Sequence, residues 1–428
     1  MLAHLRANDH FALFCEMRTG KTLPVLVRIL ELYKHDLVGN VLIVAPKAAC
    51  GAWTRDMERF PQGDCDVLKN ICWVVSYDLV WRRDNLKHHW DAIVLDESHK
   101  IKNRSAKRTQ AILQLALDSD YRWILTGTPI SNGALQDIWS QFCFLEPYRE
   151  KRSICSTIFE GSYYHFLGEY AYLNQWHQPY KFHNVDKLQD IIADHSFVLK
   201  MSDITEVLES TDIIYDIECK EKVKYKEMHD YSTVEDAEII ADNPLVRLLH
   251  LRQICSGFIT DESGGVTELQ CEKPKALADF LDGYERKLVI FAEFVHSIET
   301  ICKTLDGMSV SYTVLDGRTK DKETAWKSFQ SDGSIQVIVC QYQTANAGID
   351  LYAADTVLFY EPTLSCNVLE QAKARITCIE KTNGEYIHFI TKGSVELAIY
   401  RALSDYHDFN DELFTTYMEE YTRGGRYA

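Results

Sequence analysis

Two adjacent carboxylates, Asp96 and Glu97, close the apolar run AIVL inside the stretch DAIVLDESHKIKN (91–103). A short apolar run bounded by charge is how a strand buried on both faces of a parallel sheet reads. Ligands of open α/β sheets bind beyond the carboxyl ends of the strands, so this strand end is placed for chemistry. Neighbouring carboxylates can divide labour there, one holding a magnesium ion and the other orienting a water. An isolated Asp-Glu pair is more often a solvated acidic edge, so the accompanying residues must decide.

The first companion is FALFCEMRTGKT (11–22), an apolar strand running into a short loop that ends Gly-Lys-Thr. TLPVLVRILELY (22–33) then reads as a helix, with Pro24 in its first turn, where a missing donor costs nothing. Backbone amides at such a helix start cradle phosphates, Lys21 reaches the outer phosphates and the Thr22 hydroxyl binds magnesium. Arg18, Thr19, Gly20, Lys21 and Thr22 are the candidate nucleotide-binding residues. Gly-Lys-Thr alone arises often by chance. A strand before it, a helix after it and Asp-Glu about 75 residues on make it specific.

The elements that must position these groups come in two sets. Strand-like runs at 11–15, 41–46, 73–78, 92–97 and 123–128 alternate with amphipathic segments of helical length. A second set follows at 287–294, 311–317, 335–341, 356–362 and 386–393. The pattern predicts two parallel α/β lobes, at about 1–200 and 201–428. Between the sets, roughly 140–270, it turns helical, aromatic-rich and acidic, with no linker or low-complexity tract. A helical insertion is expected at about 145–200 and a further helical segment at about 220–260.

The composition is 46% hydrophobic and 25% charged over 428 residues, ordinary for a soluble globular protein of two or three domains. No apolar run has membrane-spanning length and no signal peptide opens the chain, so a cytoplasmic setting is expected. The 13 cysteines form no CxxC pair, which excludes an obvious zinc site or disulfide framework. The net charge of −17 argues at first against nucleic acid, but it is uneven: net +2 over 1–144, −10 over 145–275 and −9 over 276–428. A local basic groove can persist on such a chain, with modest and salt-sensitive binding.

Taken together, EMRTGKT, APKAACGAW, DESHKIKN, LTGTPISN, QTANAGIDLYAAD and QAKARI resemble, in order and spacing, the motifs of superfamily-two helicase-like ATPases. The match looks most like the Swi/Snf-type branch, especially its short bacteriophage and prophage forms. The resemblance implies two RecA-like lobes of P-loop NTPase type, with helical insertions and with ATP and nucleic acid bound between the lobes. It implies Mg2+ as the ion, held by Thr22 and Asp96, and Glu97 as the residue that activates the attacking water. Pro46 and Lys47, with Trp53 after them, fall where relatives grip a nucleic-acid backbone, and Ser76 and Tyr77 resemble a further strand contact. Thr126 and Thr128 can hydrogen-bond the acidic pair and relay its state toward a bound strand. Thr344, Gly348 and Asp350 offer close backbone approach and hydrogen bonds to strand or ribose. Gln371 and Arg375, four apart on a predicted helix, would present one face to the cleft.

Four departures stand out. Arg18 occupies a usual glycine position. Met1 lies only twenty residues before Lys21, so an upstream adenine-selecting glutamine is missing or the chain is truncated. Leu199 and Lys200 replace a basic arginine pair. Cys378 replaces the second arginine of R-x-x-R, although 371, 375 and 378 keep helical spacings of four and three. Slow hydrolysis with ordinary ATP binding is the consequence expected, with Lys373 or Lys381 as poorer cationic substitutes. The sequence points to an ATP-dependent DNA translocase acting on duplex DNA, without strand separation because no pin is evident. The alternatives are a nucleotide-responsive DNA-binding module and, less favoured, an RNA remodeller.

Overall fold

The computed structural model describes residues 1–422 except 48, 131–132, 235–238, 346–348 and 379. The chain divides into two units, Met1–Glu206 and Val207–Ala428. Each is built on a six-stranded, wholly parallel sheet.

In unit 1 the order across the sheet is Ser196–Leu199, His10–Cys15, Tyr121–Leu125, Ala92–Asp96, Val41–Ala45, Cys72–Ser76. The inner strands are Val, Ile and Leu runs buried on both faces, the reason they read as continuous apolar stretches rather than alternating ones. One consequence matters for chemistry. Tyr121–Leu125 lies between the strand that feeds the Gly-Lys-Thr loop and the strand that ends at Asp96. Three loops therefore leave adjacent strands at the same sheet edge.

In unit 2 the order is Thr211–Ile217, Glu385–Thr391, Thr356–Phe359, Leu288–Ala292, Val337–Gln341, Tyr312–Leu315. All ten expected strands are present, and the helix read at 22–33 spans Thr22–Lys34. The two edge strands, Ser196–Leu199 and Thr211–Ile217, complete the sheets.

The stretch read as helical is mixed. It holds the helices Tyr163–Tyr170 and Val185–Asp194, but also two antiparallel hairpins, Pro147–Glu150 with Ser153–Ser156 and Ala171–Leu173 with Pro179–Phe182. Three- and four-residue strands are too short to show a period of two, and Pro147 and Pro179 sit at strand starts, where no ladder donor is needed. The Asn174 side chain accepts from the backbone N–H groups of Trp176 and Gln178, which shapes the second hairpin's turn and leaves Trp176 exposed. A hairpin is thus present where the sequence suggested none. Among the described residues no helix is long and apolar enough to cross a membrane.

Candidate active site

The loop after His10–Cys15 turns sharply. Arg18 and Gly20 both hold positive φ, +67° and +76°. Only the glycine adopts this freely; a side chain there costs on the order of 1 kcal/mol, which explains why a glycine is usual at position 18. Thr19 is buried and its hydroxyl donates to the Glu16 carbonyl at 2.7 Å, pinning the turn. The helix Thr22–Lys34 begins with no side-chain cap, so its first amides face the loop without a partner from their own N-cap. The Lys21 ammonium donates to the Cys15 carbonyl at 3.0 Å. Gly127, from the adjacent loop, passes so close that a Cβ there would lie 3.3 Å from the same carbonyl.

Asp96 ends its strand, and Glu97 follows at φ +54°, a left-handed conformation rarely adopted by a residue with a side chain. The His99 Nδ1 lies 3.3 Å from Glu97 Oε2 and 3.1 Å from the Thr126 hydroxyl, which itself donates to Glu97 Oε2 at 3.4 Å. Thr126 also accepts from the Thr128 amide at 3.1 Å. Burial pushes Glu97 up, but His99, Lys21 and Thr126 outweigh it and hold the carboxyl down at about 2. Asp96 goes the other way: burial first, then the Glu97 charge, push it up to about 6 against Lys21 and the Trp53 indole. Opposite shifts in neighbouring carboxylates mark a pair divided between two tasks.

Two residues of uncertain role in the sequence converge on Asp96. The Trp53 indole donates to Asp96 Oδ2 at 2.9 Å, and the Tyr77 hydroxyl donates to the Asp96 carbonyl at 2.9 Å. His99 and Gln141 were missed altogether. Gln141, fully buried, accepts from Ser98 at 2.7 Å and donates to the Pro129 carbonyl at 2.7 Å, tying the acidic loop to the Thr-Gly-Thr-Pro loop. A lone Gln on an apolar helix gives no sequence signal, whereas His99, two residues past Glu97, could have been read as its partner.

Several expectations need correction. Thr126 is 0% exposed, so its hydroxyl serves the acidic pair and is not presented to a nucleic acid; Thr128 is half-buried. Lys47 is exposed and Pro46 half-buried, but Trp53 is buried. In unit 2 the helix carrying Gln371 is Cys366–Lys373 and ends before Arg375, so 371, 375 and 378 do not share a helical face. Cys378 instead pairs through backbone hydrogen bonds of 2.8 and 3.1 Å with Lys381. The reason is a tertiary contact. The carbonyl of Arg375 is taken by the Leu351 amide at 2.9 Å, which draws the chain out of helical register.

Arg375 is 8% exposed and donates to the Ile349 carbonyl at 3.3 Å, so the residues on either side of Asp350 are bound to Arg375. Gln371 is buried and donates to Asn367 at 3.2 Å. Thr344 and Asp350 are half-buried, and Gly348 lies outside the described residues, as do Ser131 and Asn132. The cations considered as substitutes are engaged: Lys373 with Asp212 at 2.8 Å, Lys381 with Asp355 at 2.6 Å.

Comparison with known proteins gives two successive domain matches, the first of which runs past the boundary between the units. Residues 66–257 match the SNF2-related domain, and 272–380 match the helicase conserved C-terminal domain. An uncharacterized ATP-dependent helicase of Mycoplasma pneumoniae is 26% identical over 414 residues, covering 89% of this chain and 38% of that protein. A probable chromatin-remodeling complex ATPase chain of rice is 24% identical over 433 residues, covering 89% and 37%. The SWI2/SNF2 ATPase core of Sulfolobus solfataricus in complex with dsDNA is 21% identical, with a TM-score of 0.42, covering 100% of this chain and 94% of that one. The chain thus spans about 38% of the length of the first of these curated relatives. The SNF2-related match followed by the helicase C-terminal match, on a chain with two parallel-sheet units, supports a Swi/Snf-type helicase-like ATPase of superfamily two.

Proposed function

We propose that the chain is an ATP hydrolase stimulated by DNA, coupling turnover to movement along duplex DNA. The observation that carries this is the convergence of three loops from adjacent strands. They bring Lys21 and Thr22, the Asp96–Glu97 pair and Thr126 to one edge of the unit 1 sheet. The family relationship supports the same activity.

The residues fit a nucleoside triphosphate with a divalent cation. The amides at the start of Thr22–Lys34 carry no side-chain cap, a Cβ on Gly20 would meet open space, and Asp96 is an oxygen donor beside the loop. Arg18, Thr19 and Gly20 shape the turn, Lys21 exchanges its carbonyl partner for the outer phosphates, and Thr22 with Asp96 holds Mg2+. When bound, that ion supplies charge neutralisation at the phosphates. Glu97 stays ionised throughout the working pH range, so it orients a water as a hydrogen-bond acceptor rather than storing a proton. His99 and Thr126 fix the carboxylate's angle. Gln371 and Arg375 are assigned to nucleotide contacts, Thr344, Gly348 and Asp350 to nucleic-acid strand contacts, and Pro46, Lys47 and Thr128 to strand contacts as well.

Residues 1–200 are assigned to the ATP-binding lobe, with the insertion at about 145–200, and 201–428 to the helicase lobe. The proposal also includes likeness to the short bacteriophage forms, and a cytoplasmic setting, the host's if the chain is viral. A nucleotide-responsive binder without hydrolysis is not favoured, because the Glu97 network is intact.

Phosphate release with and without duplex DNA tests the proposal, with displacement of a third strand from a triplex as the readout of movement. Turnover should rise with DNA and vanish in Lys21→Ala. Turnover in Glu97→Gln equal to the parent's would remove Glu97 from the role given to it. Unwinding of a forked duplex without triplex displacement would replace duplex translocation by strand separation, for which the Trp176 hairpin offers an element.

A further inference from the structure

Trp53 was expected at a nucleic-acid contact, yet it is 1% exposed and its single polar atom is spent on Asp96. An indole N–H buried among apolar side chains needs a partner, and here the partner is the carboxylate proposed to hold the ion. The helix that carries it, Cys50–Met57, is fixed at its start. The Pro46 carbonyl accepts from Ala49 and Cys50 at 2.8 and 3.2 Å, and the Ala49 carbonyl accepts from Trp53 at 3.3 Å. Tyr77, at the end of the neighbouring strand, is equally buried, and its hydroxyl holds the Asp96 backbone carbonyl. Asp96 is thus gripped at one side-chain oxygen and at its own main chain, by residues from two different connections.

We propose that Trp53 and Tyr77 are positioning residues for the metal-holding carboxylate, fixing which oxygen of Asp96 is offered to the cation. A carboxylate at a strand end can rotate about its side-chain bonds, and ligand orientation by such partners typically changes metal affinity 10–100-fold. The inference rests on the proposed ATP and Mg2+ chemistry. It goes beyond it by naming residues that touch neither nucleotide nor ion.

Trp53→Phe keeps the ring's packing and deletes only the donor. Its Mg2+ concentration for half-maximal ATP turnover should rise about tenfold, while KM for ATP at saturating metal stays within twofold. Mn2+, which takes the same octahedral oxygen ligands and binds them more tightly, should restore most of the rate. Tyr77→Phe should shift the Mg2+ requirement the same way by a smaller factor, and it decides the matter alone if Trp53→Phe fails to fold. An unchanged Mg2+ requirement in the folded variants overturns the proposal. So does a loss of rate of equal size in Mg2+ and Mn2+, which is what mere loosening of the core would give. If the parent itself turns over no ATP with DNA present, the ATPase reading fails instead. Mg2+-dependent binding of a fluorescent non-hydrolysable ATP analogue then compares parent and variants by the same criteria.

Discussion

Both units draw charge out of solvent at the C-terminal edge of a parallel sheet, partly for Asp96 and Glu97 and fully for Lys273 and Glu396, and they finish it differently. In unit 1 Asp96 ends its strand, Glu97 and His99 follow it, and nearby Lys21 has its ammonium bound to a backbone carbonyl. Asp96 is left well above its ordinary range. In unit 2 Lys273 and Glu396, 0% and 1% exposed, meet at 2.6 Å. Glu396 also accepts from the Thr391 amide at 2.8 Å, and Lys273 lies 5.6 Å from the Tyr360 ring centre. Glu361, buried beside them, accepts from the Ser297 hydroxyl and the Glu293 amide. That cluster is closed: each charge has its counter-charge or its hydrogen bonds. Burial of charge alone therefore does not mark a site. The mark is a buried charge whose compensation is left for a ligand.

The comparison breaks most visibly in activity. Lys21→Ala and Glu97→Gln should each lower DNA-stimulated turnover by about 10²–10³-fold or more, roughly 3–4 kcal/mol of transition-state stabilisation, with thermal unfolding nearly unchanged. Lys273→Ala should do the reverse. Removing one partner strands Glu396 without its counter-charge, at a cost of about 3–5 kcal/mol, read as a fall in the denaturant midpoint of unit 2. Replacing both, Lys273→Met with Glu396→Leu, should recover most of that loss. If the double variant is no more stable than Lys273→Ala, the cluster is more than a strut.

A pH experiment sharpens the contrast. Asp96 is folded with its carboxyl raised to about 6 by burial and by Glu97. A raised carboxyl binds its proton more readily folded than unfolded, so the ionised form opposes folding above about pH 6 and the penalty fades as pH falls. Asp96→Asn, measured with EDTA present, should stabilise unit 1 by on the order of 2 kcal/mol at pH 7.5, and the gain should shrink by pH 5. In unit 2 His388 is held below its ordinary value by burial, despite the Asp212 carboxylate 2.8 Å away. Unfolding there takes up a proton, so its contribution is lost as pH falls below about 6.5. An Asp96→Asn gain that is independent of pH would mean that Asp96 is not strained by its surroundings.

How far the sequence could be read follows from the same physics. Strands buried on both faces appear as uninterrupted apolar runs, and all ten expected runs are strands, including the less buried Cys72–Ser76 and Tyr312–Leu315. The hairpin strands at Ala171–Leu173 and Pro179–Phe182 were not legible, because three or four half-exposed residues carry no period. At the candidate site, Gly-Lys-Thr and Asp-Glu were visible because backbone geometry and charge demand those residue types. Trp53 and Gln141 were not, because their bonds to the acidic loop, Trp53 to Asp96 and Ser98 to Gln141, each span 43 residues of chain, and nothing local encodes those partners. The end of the helix at Lys373 was missed for a similar reason: a tertiary hydrogen bond, from Leu351 to Arg375, overrides the local 3.6-residue pattern.

That ending changes how Cys378 is judged. The expectation of a shared helical face for 371, 375 and 378 no longer supports it, so only its place in the motif does. The surroundings nonetheless leave a vacancy in function. Arg375 is committed to the Ile349 carbonyl, Lys373 to Asp212, and Lys381 to Asp355 and to the carbonyls of Tyr352 and Ala354. Moving any of them to a transferring phosphate would first cost these contacts, and none but Arg375 presents a planar donor fork. Cys378 is half-buried, held by a two-bond backbone pairing that does not depend on its side chain. Cys378→Arg can therefore be made without dismantling the turn. It should raise DNA-stimulated turnover about tenfold, roughly 1.4 kcal/mol, with the ATP dissociation constant changed less than twofold. That is well below the effect of an arginine finger elsewhere, because the new side chain is not pre-organised by neighbours selected for it. An unchanged rate would place the missing charge elsewhere, and Arg375→Lys is then the variant to measure.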